Sequence, residues 1–291
     1  MSGRRSTTRL PCSEGWADDR RREPSPERAQ LTRVELIDGE VVGIRAANPS
    51  PFTLDGTNSW LVGRDPAWLI DPGPALDEHL DALAAEIETR GGLGGTALTH
   101  DHPDHAEALP KIRERFADAP VAAACGEVDV RLGDGDRFGP LEAMATPGHS
   151  PDHLTFILGR IGFSGDAVLG RGSSLIIPFP GALAAYLSSL ERLRERELDV
   201  LAPGHGPVVF DVRSKLDEYI EHRLDRERRL LDALGRGRRT VSELLEDAWS
   251  DAPPALRPAA TATLAAHLDK LADEGRLPEG VQRPEVRLGA G

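Results

Sequence analysis

Short apolar runs punctuated by Gly, Pro, Asn and Asp open the patterned part of the chain. Val34 to Ile37, Val41 to Ile44 and Ser59 to Gly63 lead to Trp68-Leu69-Ile70-Asp71-Pro72-Gly73. Runs of this length and composition predict strands of an antiparallel sheet. Leu76 to Arg90 then has helical spacing and stops at Gly91-Gly92. Gly95 to Thr99 predicts a buried strand and Ala106 to Phe116 a helix. Strand, loop and helix are expected to recur through His149 and Asp166. Leu183 to Arg196 predicts a further helix before a Val200-Leu201 strand. The pattern is that of an α/β fold with helices covering both sheets.

The texture changes after Val209. Val212 to Leu234 predicts a long, highly charged helix. Thr240 is placed to cap a second helix, Val241 to Trp249, with Ser242 and Glu243 in its first turn. Pro253-Pro254 breaks the chain, and Ala259 to Glu274 predicts a third helix ending at Gly275. Three helices and a terminal hairpin predict a small helical winged-helix domain. The expected organisation is a polar tail over residues 1–30, a large domain over 31–215, the winged helix over 216–280 and a tail over 281–291.

Composition narrows the classes. At 291 residues with 39% hydrophobic and 29% charged positions, the chain is an ordinary globular sequence. No run reaches the roughly 18 apolar residues of a membrane span. The arginine-rich start has no apolar segment of the secretory kind. Two cysteines, Cys12 and Cys125, provide no disulfide framework, which points to the reducing cytoplasm. A net charge of −13 argues against a general nucleic-acid binder. The third C-terminal helix sharpens this. From Arg257 to Arg276, three basic residues meet three acidic ones, so it lacks the basic surplus of a helix that enters a DNA groove.

The chemistry is concentrated in His100-Asp101-His102-Pro103-Asp104-His105, which holds three of the nine histidines and two aspartates. Imidazole suits zinc, iron and manganese, and carboxylates add charge and can bridge two ions. The i, i+4 spacing of a helical HExxH zinc site is absent. Three later pieces complete a donor set: Pro147-Gly148-His149, Phe163-Ser164-Gly165-Asp166 and Pro203-Gly204-His205-Gly206. Each follows an apolar segment and sits in a small-residue turn, where the backbone can pass close to an ion. The other histidines read differently. His79 and His222, in charged helical surroundings, are expected to be solvated. His267, beside Leu264, Leu268 and Leu271, is expected at a core edge. His153 is open between packing and support of the site.

With those motifs in order, the chain resembles the metallo-β-lactamase superfamily, whose pattern is His-x-His-x-Asp-His followed by His, Asp and His. The segment Asn48 to Trp60, the Pro-Gly-His-Gly-Pro turn and the C-terminal helices are similar to the β-lactamase-like protein 2 group and to glyoxalase II relatives, over residues 34 to 276. The resemblance implies an αββα sandwich with metals at the sheet edge. It implies His100, His102 and His149 on a first metal, Asp104, His105 and His205 on a second, and Asp166 bridging. Two divalent metal ions are implied, zinc first, with iron or manganese as alternatives.

A metal pair roughly 3.5–4 Å apart lowers the pKa of a bridging water, giving hydroxide as the nucleophile. Asp104 and Asp166 are then the catalytic carboxylates. The expected activity is hydrolysis of a small ester, thioester or lactone. A metal-dependent endoribonuclease acting on single-stranded RNA is the alternative, and a persulfide oxygenase or non-catalytic metal binder is a third class. His102 counts against oxygen-reducing di-iron relatives, which carry Glu there. Asn58, Arg171 and Phe179 are the candidate substrate contacts, with Arg171 to Phe179 an apolar lip. RNA draws its support from Arg223, Arg226, Arg228, Arg229, Arg236, Arg238 and Arg239, which exceed Asp225, Glu227 and Asp232 by four. The competing explanation is a helix surface laced with ion pairs. A homo-oligomer is left open.

Overall fold

The computed structural model describes residues 32–36 and 39–286. The expected tail over 1–30, with Cys12, lies outside the described residues. The first sheet has seven strands in chain order: β1 (Thr32–Leu36), β2 (Val41–Arg45), β3 (Asn58–Val62), β4 (Ala67–Ile70), β5 (Leu93–Ala97), β6 (Val121–Ala123) and β7 (Val130–Arg131). β1 to β4 pair antiparallel, as their patterning predicted, and β4 to β7 pair parallel. The parallel step from β4 to β5 needs a crossover, supplied by α1 (Asp77–Thr89).

The second sheet is β12-β11-β10-β9-β8, from β8 (Arg137–Phe138), β9 (Leu141–Ala145), β10 (Leu154–Leu158), β11 (Ile161–Gly165) and β12 (Val200–Pro203). Helix does not follow every ligand loop as expected. β9, β10 and β11 are antiparallel neighbours, so the turn carrying His149 leads straight into β10. Only after Asp166 does the chain cross over, through α4 (Ala182–Glu195), to the parallel β12. The helix expected over Ala106 to Phe116 is two pieces, α2 (Pro103–Ala106) and α3 (Leu109–Arg115). Pro110 has no N–H for the Ala106 carbonyl and its ring collides with that carbonyl in a continuous helix.

Three apolar layers hold these parts. Trp60, Ile70, Phe138, Phe156 and Phe163 fill the space between the sheets. Leu61 and Leu69 point outward under α1 and α3, against Leu83, Ile87 and Ile112. Met144, Ile157 and Leu201 of the second sheet pack under α4 and α5 (Val212–Gly235). Helix, sheet, sheet, helix is the expected αββα order, and each large apolar side chain buried in it contributes about 1.5–3 kcal/mol.

α5 belongs to two cores. Leu216, Tyr219 and Ile220 pack on the second sheet's cover, while Leu230, Ala233 and Leu234 pack with α6 (Val241–Ala248) and α7 (Arg257–Asp273). The division expected at 215/216 therefore falls inside one helix. Thr240 caps α6 in a reciprocal box with Glu243. The expected terminal hairpin does not form among the described residues. Gln282 N–H donates to the Arg239 carbonyl, and Pro278 and Pro284 remove donors that a strand would need.

Candidate metal centre

The seven predicted donors converge at one edge of the sandwich, where the loops after β5, β9, β11 and β12 meet. His100 Nε2 and His149 Nε2 lie 2.9 and 3.0 Å from His102 Nδ1. Beside them, His205 Nε2 lies 3.0 Å from Asp104 Oδ2 and 3.3 Å from His105 Nε2. Asp166 sits between the two groups. Its Oδ1 is 3.4 Å from both His105 Nε2 and His205 Nε2, and its Oδ2 is 3.6 Å from His149 Nε2. Asp166 Oδ1 is buried without a hydrogen-bond partner. A buried carboxylate oxygen facing two imidazole nitrogens, with no donor of its own, fits a cation-binding role. His100, His102 and His149, and likewise Asp104, His105 and His205, hold their donor atoms within 4.8 Å of one another.

The surrounding chain aims these rings. Asp71, at the end of β4, accepts from Thr99 N–H at 2.7 Å, from the Thr99 hydroxyl at 2.7 Å and from His105 Nδ1 at 2.8 Å. Its backbone lies in the left-handed region at φ 53°, a strained conformation for a non-glycine residue. His149 Nδ1–H donates to the Leu175 carbonyl at 2.8 Å, leaving Nε2 inward. His153 Nε2 accepts from Asp166 N–H at 3.1 Å, while its Nδ1 meets the Thr146 hydroxyl at 2.8 Å. The His205 loop is clamped to β3: Asn58 Nδ2 donates to the carbonyls of Pro203 and Gly206, and Trp60 Nε1 donates to that of Pro203. Gly204 is required there, since a Cβ would stand 2.6 Å from His105 Cε1 and 2.9 Å from Asp166 Oδ1.

Electrostatics divide the histidines. Burial disfavours the charged form of His100, His102, His105, His153 and His205. At His105 and His205 the carboxylates of Asp104 and Asp166 outweigh burial, raising His105 well above its ordinary value and His205 to about 9. His100 and His102 have mainly histidine neighbours, so burial and mutual repulsion depress both, His102 to about 3. The two carboxylates would be raised by burial, but His205 and His105 pull them down, Asp104 to about 2.

Over the donors opens a cavity of about 870 Å³, walled on the far side by the C-terminal helices. Arg171 lines it, paired with Asp55 at 2.7 Å. Asn58 and Phe179 do not. Both amide hydrogens of Asn58 are taken by the ligand loop, and Phe179 packs on the core beneath α4. Of the expected lip, Ser173, Ser174 and Leu175 face the cavity, and Ile176 is fully buried. His79 is buried against the Ser59 hydroxyl, not solvated, and burial lowers its pKa to about 4. His222 is half-buried and lines the cavity. His267 is wholly buried under Trp249. Asp71 was missed. Its signal was an aspartate ending the strand beside the one that delivers the histidine motif.

Fold and donor set define a class, a metal-site hydrolase of αββα architecture. The chain belongs to the metallo-beta-lactamase superfamily, matching it over residues 52–124 and 124–205, and matches the beta-lactamase associated winged helix domain over 240–280. It is 32% identical over 272 residues to a beta-lactamase-like protein 2 homolog of Caenorhabditis elegans, covering 86% of this chain and 90% of that one. It is 33% identical over 242 residues to an atrochrysone carboxyl ACP thioesterase of Aspergillus chevalieri, covering 77% of each. In fold it is similar to a beta-lactamase domain protein from Burkholderia ambifaria, with TM-score 0.71 and 21% identity, over 89% of this chain and 94% of that one. No helix among the described residues is long and apolar enough to cross a membrane.

Proposed function

We propose that this chain is a binuclear metal-dependent hydrolase of small esters, thioesters or lactones, with a thioester as the first choice. The observation that carries the binuclear reading is Asp166, whose two oxygens face different donor groups. His100, His102 and His149 would hold one ion and Asp104, His105 and His205 the other, with Asp166 shared. Zinc is the first metal proposed, because three imidazoles on one side and a mixed oxygen–nitrogen set on the other suit it; iron and manganese suit the same donors. When bound, such ions supply Lewis acidity and bring the pKa of a water towards neutrality.

The chain's own residues do the rest. Asp104, half-buried at the cavity floor, orients the attacking water. Asp71, His153 and the Leu175 carbonyl fix His105, Asp166 and His149 before substrate arrives, and such preorganisation is where much of the rate is gained. Phe52, Leu54, Leu169 and Trp249 give the cavity an apolar wall suited to an acyl chain. The thioesterase among the relatives supports the leaving group. A cytoplasmic setting is part of the same reading, with Cys125 a buried thiol beside Asp152.

The test is metal content of the purified protein, followed on the same sample by an acyl thioester panel beside a single-stranded RNA. Two equivalents of zinc with thioester turnover and intact RNA is the expected result. RNA cleavage that disappears in Asp166→Asn replaces the reading with a nuclease. One iron with neither activity replaces it with an oxygenase.

A further inference from the structure

Arg223 differs from the other arginines of α5. The residue is 2% exposed, and no carboxylate lies within ion-pair distance of it among the described residues. The nearby acids are engaged elsewhere. Asp251 binds Arg226, and Glu227 binds Lys270 and Arg276. The guanidinium donates one Nη to the Ser174 carbonyl and stacks on Tyr186 at 5.4 Å, while its Nε is buried with no acceptor. A buried cation without a counter-charge is costly, and the cost is relieved when an anion arrives. Arg223 lines the same cavity as His102, Asp104, His149 and Asp166, so an anion in that cavity can reach it.

Its place relative to the metal centre limits which anion. Arg223 holds the Ser174 carbonyl and His149 holds the next one, Leu175. The Cα atoms of these consecutive residues are about 3.8 Å apart. The guanidinium is therefore near the reacting end of the cavity, too near to meet a phosphate at the far end of a pantetheine arm when the scissile bond is at the donors. A carboxylate on the acyl group, a few bonds from the scissile carbonyl, fits.

We infer that Arg223 is the specificity residue that recognises a carboxylate on the acyl portion of the substrate. Arg is suited to this, because its planar fork matches a carboxylate in two parallel hydrogen bonds. The inference rests on the hydrolase reading for its substrate class, but not for the anion contact itself.

The test uses metal-loaded protein and two readouts. The first is the ratio of kcat/KM for a succinyl thioester over the butyryl thioester of the same thiol. The second is calorimetric binding of two inert thioethers, one ending in a carboxylate and the other in the matching carboxamide. Wild type is expected to favour the carboxylate in both. Arg223→Gln, which removes the charge but retains an amide donor for Ser174, is expected to lower the kinetic ratio at least tenfold and to level the two thioethers. Arg223→Lys, checked for the same thermal midpoint, is expected to recover part of the preference. If both thioesters fall equally in Arg223→Gln and the thioethers still bind as in wild type, Arg223 only buttresses the loop and the inference is overturned. It is also overturned if wild type shows no carboxylate preference, or if inorganic phosphate competes through Arg223 more strongly than the carboxylate thioether. Arg223-dependent thioether binding without any thioester turnover would sustain the inference while removing the hydrolase reading.

Discussion

Two stretches of this chain are dense in charge, and folding brings them to opposite states. Around His100 to His105, donor atoms from four loops converge, and Asp166 Oδ1 is left buried with no hydrogen-bond donor. Along α5 and the turn after it, five arginines are neutralised by carboxylates. Arg226 meets Asp251, Arg228 and Arg229 share Asp225, and Arg236 and Arg238 share Asp247. Arg239 donates to the Leu234 carbonyl at the end of α5. Charge density along a sequence does not mark a site. What marks it is donor capacity left over after the protein has satisfied itself, aimed at one point. By that measure Arg223, buried with no carboxylate against it, belongs with the candidate metal centre, and the ion-paired arginines beside it belong to the scaffold.

The largest test of the comparison is Asp166→Asn. If Asp166 joins the two donor groups, turnover should fall by a factor on the order of 10³ and one of two ions should be lost, since a ligand bearing charge is worth several kcal/mol at such a site. Steady-state rates and metal analysis on one preparation check this. Full metal occupancy with near-wild-type turnover breaks the assignment. Next is Asp71→Asn, which keeps the shape but removes the charge that holds His105. Loss of such a supporting carboxylate costs 10- to 100-fold in metal affinity or activity. A competition titration with a chelator should show the weaker binding, and an unchanged affinity would make Asp71 merely structural.

The donors were legible because each sits in a short motif after an apolar strand, where period and turn chemistry are local. The supports were less so. Asp71 ends β4 in an Asp-Pro-Gly turn that reads equally as punctuation, and only the parallel pairing of β4 with β5 puts it beside Thr99 and His105. His79 looked solvated beside Asp77, Glu78 and Asp81, yet it precedes Leu83 by four and so shares the buried stripe of α1. The break at Pro110 is visible in the sequence as a proline inside a helical pattern. That the cavity's far wall comes from α5 and α7 depends on long-range packing, which no local pattern encodes. The same gap separates Arg223 from Arg228 and Arg229. One lies on the line from Tyr219 to Leu230 that faces inward, and the others lie on the outer face of the same helix.

His267 tests the comparison from another side. Both its ring nitrogens are buried without partners, but nothing converges with them, so they should be a cost and not a site. His267→Leu is expected to stabilise the protein by about 1 kcal/mol, the lower end of the penalty for an unsatisfied buried polar group. Burial, reinforced by Arg223 and Lys270, holds its pKa well below the ordinary histidine value. The folded protein thus keeps His267 neutral while the unfolded chain protonates it near pH 6.5. The proton adds no penalty above that pH, and the destabilisation grows as pH falls below it. Denaturant melts at pH 7.5 and 5.5 should show the variant's advantage growing at the lower pH. A constant gap would mean that His267 titrates normally when folded.

The smallest expected effect comes from Arg228 and Arg229. Exposed pairs with a shared carboxylate contribute about 0–1 kcal/mol, because solvent screens them and ordering long side chains costs entropy. Replacing both with alanine should leave thermal stability within about 1 kcal/mol of wild type and leave neutral and anionic thioesters changed alike, by less than about twofold. The comparison is sharpened by running Arg223→Gln in the same assay. Two exposed arginines removed together should matter less to the acyl preference than one buried guanidinium that loses only its charge. If the double variant instead lowers turnover of anionic substrates alone, the outer face of α5 acts as an electrostatic guide. Rising salt should then reproduce the loss in wild type, because charges at that surface are screened within about 10 Å at 0.1 M ionic strength.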